Sequence, residues 1–196
     1  MSHHIYKTEG IILGQFPVRE SNLYLRIFTK DLGIIGAQVQ GARELKSKLK
    51  ASLGIYTYGY FDLVRGKEVW RTISADRVDR FDNILSHEIK KVVFARALGL
   101  LQRLTPEEAP TEGFFDNVVD AFDFFEKKKL TPEEMKSFES VFVMRVLHEL
   151  GYWGEDERFS QFFKSKWIDP EILKNFVSYR KDATALINKS LQASHL

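Results

Sequence analysis

Hydrophobic positions recur with a period of two over the first 80 residues and with a period of 3.6 from about residue 83 onward. In Asn22–Thr29, Leu23, Leu25 and Ile27 alternate with Tyr24, Arg26 and Phe28, the pattern of a strand with one buried face. Residues 5–15 are rich in β-branched side chains and are interrupted by Gly10. Lys30-Asp31-Leu32-Gly33 predicts a turn with Gly33 available for positive φ, and residues 34–40 resume the strand pattern. Residues 55–65 alternate again, with Ile55, Phe61 and Leu63 on one side and Tyr56, Tyr58 and Tyr60 on the other. Arg65-Gly66-Lys67 turns the chain into a fifth strand over 68–75. Between the third and fourth strands lies a basic, helix-tolerant insert, residues 41–53. Five short strands with such an insert after the third predict an OB-type barrel, with an SH3-like barrel as the nearest competitor.

Three apolar stripes at helical spacing follow. The first runs through Ile89, Val92, Val93, Ala97, Leu100, Leu101 and Leu104. The second holds Phe114, Phe115, Val118, Val119, Phe122 and Phe125, and the third holds Phe138, Val141, Phe142, Arg145, Val146, Leu147 and Leu150. Gly151 fits the position just past a helix end, and one or two shorter helices are expected over 169–191. Thr-Pro-Glu-Glu occurs at Thr105 and again at Thr131. Threonine as N-cap, proline in the first turn and glutamates after it predict a helix start at both places, and Asp169-Pro170-Glu171 repeats the logic. An acidic catalytic pair is the sharper alternative for the glutamates. The expected class is therefore α+β: a five-stranded OB-type barrel over residues 1–80 and an all-α helical domain over 81–196. No Gly-, Ser- or Pro-rich linker separates them.

Composition narrows the chemistry. The 196 residues are 44% apolar and 29% charged, an ordinary globular balance, with no cysteine for disulfides, thiolate catalysis or thiolate zinc sites. A chain of this length buries roughly 70% of its unfolded surface, so folding needs no metal. No run is apolar enough to span a membrane, and the start lacks the features of a secretory signal, which together point to the cytoplasm. Net charge is +2, but residues 1–80 carry 13 lysines and arginines against 8 acids, while the remainder is net acidic. A basic front half suits an anionic partner or is simply a soluble surface.

A search for catalysis finds little. His148-Glu149 has no second histidine at the zinc-protease spacing. Lys46-Ser47 lacks the glycine that a phosphate loop needs before its lysine, since Leu45 stands there. No Gly-x-Ser-x-Gly elbow occurs. The strongest constellation is Arg43, Lys46, Lys48 and Lys50, four cations within eight residues of the insert. Such a cluster either tracks a phosphate backbone or forms a solvated loop. Tyr56, Tyr58 and Tyr60 on one strand, Trp70 on the next, and outward Tyr24 and Phe28 either stack bases or pack against the helical domain. Arg19, Arg26 and Arg71 are second-tier cations.

Glu20-Ser21-Asn22 leading to Leu25-Arg26-Ile27-Phe28-Thr29, then Leu32-Gly33, Gly41-Ala42-Arg43, Ser47-x-Leu49-Lys50 and Leu53, resembles the N-terminal domain of the RecO family of bacterial DNA repair and recombination mediators. Phe138-Glu139 through Leu147-x-x-Leu150-Gly151-Tyr152 is similar to that family's central helix, and residues 186–196 to its closing helix. Gln40 stands where the family usually has lysine, and Gly54-Ile55 where it has Gln-Pro. The four-cysteine zinc element of many members is missing.

The resemblance implies no catalytic turnover, cofactor, metal or small-molecule substrate, and no membrane association. It implies binding of single- and double-stranded DNA, annealing of complementary strands, and work with RecR to load the RecA recombinase onto DNA coated by single-stranded DNA-binding protein. Lys136 occupies the family's basic position two residues before the central-helix Phe138, so it is the candidate contact for that coating protein's acidic tail. Two other readings stay open: a protein-interaction module that binds a partner tail through its helices, and an RNA-binding OB protein.

Overall fold

A computed structural model describes residues 4–44, 46–47, 49–163 and 167–193. The chain folds as two compact units, Met1–Phe81 with Thr105–Phe115, and Asp82–Leu104 with Asp116–Leu196.

The first unit is a closed barrel of β1 (Ile5–Val18), β2 (Asn22–Thr29), β3 (Gly33–Val39), β4 (Tyr58–Arg65) and β5 (Trp70–Val78). The order around it is β1-β2-β3-β5-β4, the OB arrangement rather than the SH3-like one. β1 bends at a bulge between Ile12 and Gly14, which lets one long strand pair with both β2 and β4. The period of two places Leu23, Leu25 and Ile27 of β2 and Ile35, Ala37 and Val39 of β3 in the barrel core with Phe61 and Leu63. Gly33 takes φ +70° in the turn before β3. A Cβ there would meet the backbone of Ala109 at 2.9 Å, so glycine serves both the turn and a close approach.

That approach belongs to a strap, Thr105–Phe115, which folds with the barrel although it follows a helix of the second unit in the chain. The Glu108 amide donates to the Ile34 carbonyl at 2.9 Å, and Glu107 bridges Ile34 in parallel. The expected helix start at Thr105 is therefore corrected. The same four residues cap a helix at Thr131, but at Thr105 the two glutamates are drawn off to Arg26, Arg65 and Trp70 of the barrel.

The second unit comprises α1 (Asp82–Ser86), α2 (Glu88–Leu104), α3 (Phe114–Lys127, from Asp116 on), α4 (Pro132–Glu149), α5 (Pro170–Phe176) and α6 (Arg180–Ala193). Thr131 heads α4 with a capping box: its hydroxyl accepts from the Glu134 amide, and the Glu134 carboxylate accepts from the Thr131 amide. Asp169 caps α5 by accepting from the Ile172 amide at 2.8 Å. The core is a run of aromatic contacts, with ring centroids 4.5 Å apart for Phe94 and Phe122, 5.0 Å for Phe122 and Phe142, and 4.2 Å for Phe125 and Phe138. Arg145 lies within this core, and burial pushes its guanidinium down to about 10. The first stripe differs from expectation. Ile89 and Val92 face solvent at 58% and 47% exposure, while Lys90 is buried among the core residues of α2.

Candidate nucleic-acid interface

The insert is held by its apolar residues. Ala42 and Leu53 are buried in the barrel core at its two ends, and Leu49 packs against that core between them. Among the described residues the insert forms turns and one short 3-10 turn, Lys50–Ser52, rather than an α-helix. Between the anchors, Arg43, Lys46 and Lys50 are exposed. Lys48 lies outside the described residues.

The turn between β1 and β2 is tied to the start of the insert. Asn22 Oδ1 accepts from the Gly41 amide at 3.0 Å, and the Ser21 carbonyl accepts from the Arg43 amide at 2.9 Å. The Arg43 guanidinium donates to the Arg19 carbonyl at 3.3 Å. Glu20-Ser21-Asn22 and Gly41-Ala42-Arg43, far apart in sequence, are thus one structural element. Arg19 stands at its tip in a left-handed conformation, φ +55°. A cleft of about 400 Å³ runs between Pro17, Leu23, Arg43 and Lys50. Among the described residues no carboxylate pairs with Arg19, Arg43, Lys46, Lys50 or Arg71. A cluster of exposed, uncompensated cations is an electrostatic footprint for a polyanion.

Other candidates are placed differently. Arg26 is committed to Glu107 of the strap, at 2.7 Å. Phe28 lies outward on β2 but is covered by Phe114 and Phe115, with ring centroids at 5.8 and 5.1 Å. Tyr58 is 2% exposed, sandwiched by Phe81 and Phe115, and its hydroxyl donates to Glu9. Burial first, and that hydrogen bond second, push its phenol above the ordinary range. No face of the Tyr58 ring is open to a base. Tyr56 occupies the turn before β4 at φ +70° and is partly buried. Tyr60 is exposed, but its cross-strand neighbours are Glu9 and Asp76, which repel phosphate. One further aromatic pair is not singled out by strand alternation alone. Phe16 of β1, 50% exposed, pairs in register with Tyr24 of β2, ring centroids 6.4 Å apart. The Tyr24 ring lies across Gly36, where a Cβ would meet its hydroxyl at 1.9 Å.

The strap also neutralises the end of the β4–β5 hairpin. Glu108 accepts from the Arg65 guanidinium and, at 3.2 Å, from Trp70 Nε1. The Arg65 hydrogen bond holds the Glu108 carboxyl below its ordinary value of 4.5, against the opposing effect of burial. Because the folded-state value is the lower one, this interaction contributes fully above 4.5 and fades as pH falls through the folded value. The melting-temperature difference between wild type and Glu108→Gln should therefore narrow from about pH 6 to about pH 3. A difference that does not change with pH would reject that linkage.

In the second unit, Lys136 is exposed on α4 and pairs with Glu133 at 2.8 Å; Glu133 also accepts from Arg180 at 2.7 Å. These groups flank a groove of about 560 Å³ between α4 and α6, with Val143, Val177 and Ile187 on its walls. Among the described residues no cluster of His, Asp and Glu is arranged to hold a metal ion, and no helix is long and apolar enough to cross a membrane.

A closed barrel of OB order carrying a cationic insert after its third strand, with a helical unit appended, defines an OB-fold protein of a particular two-part class. Residues 1–81 match the family model described as Recombination protein O N terminal. Relatives include the DNA repair protein RecO of Acetivibrio thermocellus, 26% identical over 146 residues, or 74% of this chain and 57% of that protein. The DNA repair protein RecO of Listeria welshimeri is 28% identical over 110 residues, 56% of this chain and 43% of that protein. That of Clostridium novyi is 23% identical over 154 residues, 79% and 59% respectively. The match to that family model is confined to the barrel region, residues 1–81, and the chain spans about half the length of the curated relatives it matches.

Proposed function

We propose that this chain is a non-catalytic recombination mediator whose barrel grips the backbone of single- and double-stranded DNA. The observation that carries the reading is the row of exposed cations held between three apolar anchors, with no acidic partner among the described residues. Arg43, Lys46, Lys48 and Lys50 hold phosphates, with Arg19 and Arg71 beside them. Neutralising two strands at once lowers the repulsion that opposes their approach, which is how such a surface anneals complementary strands. The similarity to the RecO family supports the wider role: work with RecR, and loading of RecA onto DNA coated by single-stranded DNA-binding protein. Binding of a labelled single-stranded oligonucleotide across a salt series tests the grip. Affinity that ignores salt rules it out.

Arg26 and Arg65 form a reserve that the strap withholds. Glu107→Gln with Glu108→Gln should tighten binding and steepen the plot of log affinity against log salt by about 1.4, at about 0.7 per phosphate contact. An unchanged slope would mean that these arginines lie off the DNA path.

The groove beside Lys136 favours a second, compatible reading. Cations at the lip of an apolar trough suit the acidic, apolar tail of the coating protein, whose terminal carboxylate would replace Glu133 on Lys136 and Arg180.

A further inference from the structure

We propose that the seam between β3 and β5 holds one unstacked nucleobase of a single strand whose phosphates lie on the insert. This rests on the reading of the insert as a phosphate grip and adds a base-binding site to it. β3 and β5 pair only through Ala37 with Trp70 and Gln38 with Arg71, the shortest ladder of the barrel. Beyond that point β3 gives way to the insert while β5 runs on to Val78. The opening is a cleft of about 420 Å³ whose lining includes Gln38, Gln40, Leu49, Arg71, Thr72 and Ile73.

The chemistry of those six side chains is that of a site for a flat heterocycle. Ile73 falls where the β4–β5 register shifts, opposite the step from Asp62 to Leu63, and stands 51% exposed at the cleft. With Leu49 it offers apolar surface for the faces of a ring. Thr72 is 8% exposed, and its buried Oγ1 has no hydrogen-bond partner among the described residues. A buried hydroxyl left unpaired is costly, and it points to an absent partner. Gln38 and Gln40 have no side-chain hydrogen bond among the described residues. A hydroxyl and two amides each donate and accept, so together they satisfy the edge of any base without selecting one. Arg71, beside the Gln38 register position, meets the adjoining phosphate. Leu49 ties the cleft to the grip, because it sits next to Lys50 in the insert. A base in a duplex is paired and stacked and cannot enter, so the cleft favours single over double strands.

The test compares two labelled oligonucleotides of about 15 residues, one intact and one fully abasic, so that phosphates are equal and only bases differ. The intact strand should bind the full chain about fivefold more tightly, the scale of one or two net hydrogen bonds. Thr72→Val removes the unpaired hydroxyl at nearly constant volume, and Ile73→Ala removes the apolar face from the exposed mouth. Each should erase most of that ratio without moving the affinity for the abasic strand. Equal binding of both strands by wild type, or a ratio that survives both variants, overturns the base site and leaves the phosphate grip standing. Failure of both strands to bind overturns the grip and the base site together.

Discussion

Exchanging Arg43, Lys46 and Lys50 for glutamine should flatten the salt dependence of single-strand binding by about 2 log units per log unit of salt, at about 0.7 for each lost phosphate contact. The affinity loss should itself depend on salt. If the electrostatic contribution vanishes near about 1 M, the variant binds several hundredfold more weakly at about 50 mM and only about thirtyfold more weakly at about 200 mM. That convergence separates loss of phosphate contacts from damage to the fold, which would lower affinity by the same factor at every salt. Folding should survive, because all three side chains are exposed and the anchors Ala42, Leu49 and Leu53 are untouched; surface changes of this kind shift stability by about 0.5 kcal/mol or less. Arg43 is the one with a structural contact, its 3.3 Å hydrogen bond to the Arg19 carbonyl. Arg43→Lys keeps the charge and loses that geometry, so it should retain the salt slope. A triple variant with the wild-type slope would mean that the insert is a solvated loop and that DNA binds elsewhere.

The barrel was readable because its strands obey one local rule. Leu23, Leu25 and Ile27 go inward and Tyr24, Arg26 and Phe28 go outward, as alternation requires. Alternation assigns a face, however, and not what covers that face. Phe28 and Tyr58 leave the barrel core, and both are covered by rings of a strap some 80 residues downstream of β2. Nothing local in Thr105-Pro106-Glu107-Glu108 marks it as a strap, for its twin at Thr131 has the same four residues and caps α4. The deciding partners, Arg26, Arg65 and Trp70, are distant in sequence and become neighbours only in the folded barrel. The insert was readable for the opposite reason. Its four cations stand within eight residues of chain, so their clustering needs no tertiary contact to be seen, and Arg43, Lys46 and Lys50 are exposed. The seam cleft was hidden because it depends on how short the β3–β5 ladder is, a property of strand pairing that no local motif records.

Lys90 shows the same limit in the helical unit, and its replacement should produce a large stability change. Helical spacing put Ile89 and Val92 in the core; the folded unit buries Lys90 instead, at 5% exposure. Its amine donates to the carbonyls of Phe125 at 2.7 Å, Lys128 at 3.0 Å and Glu126 at 3.2 Å, which are the acceptors left open where α3 ends. A cation at that end also meets the negative pole of the helix. Burial lowers the affinity of this amine for its proton, and Glu126 partly restores it. Glu126 in turn accepts from the amides of Asn83 and Ile84, so the start of α1 is fastened to the same point. Lys90→Met preserves the length and apolar stem but strands the carbonyls of Phe125 and Lys128, while that of Glu126 keeps the Asn83 side-chain amide at 2.6 Å; the loss should cost about 2–4 kcal/mol. Lys91→Met, one residue along and exposed, should change stability by no more than about 0.5 kcal/mol. Urea unfolding of the full chain, followed by circular dichroism, compares the two. Equal midpoints would show that water satisfies the end of α3 without Lys90, and that its burial is incidental to the fold.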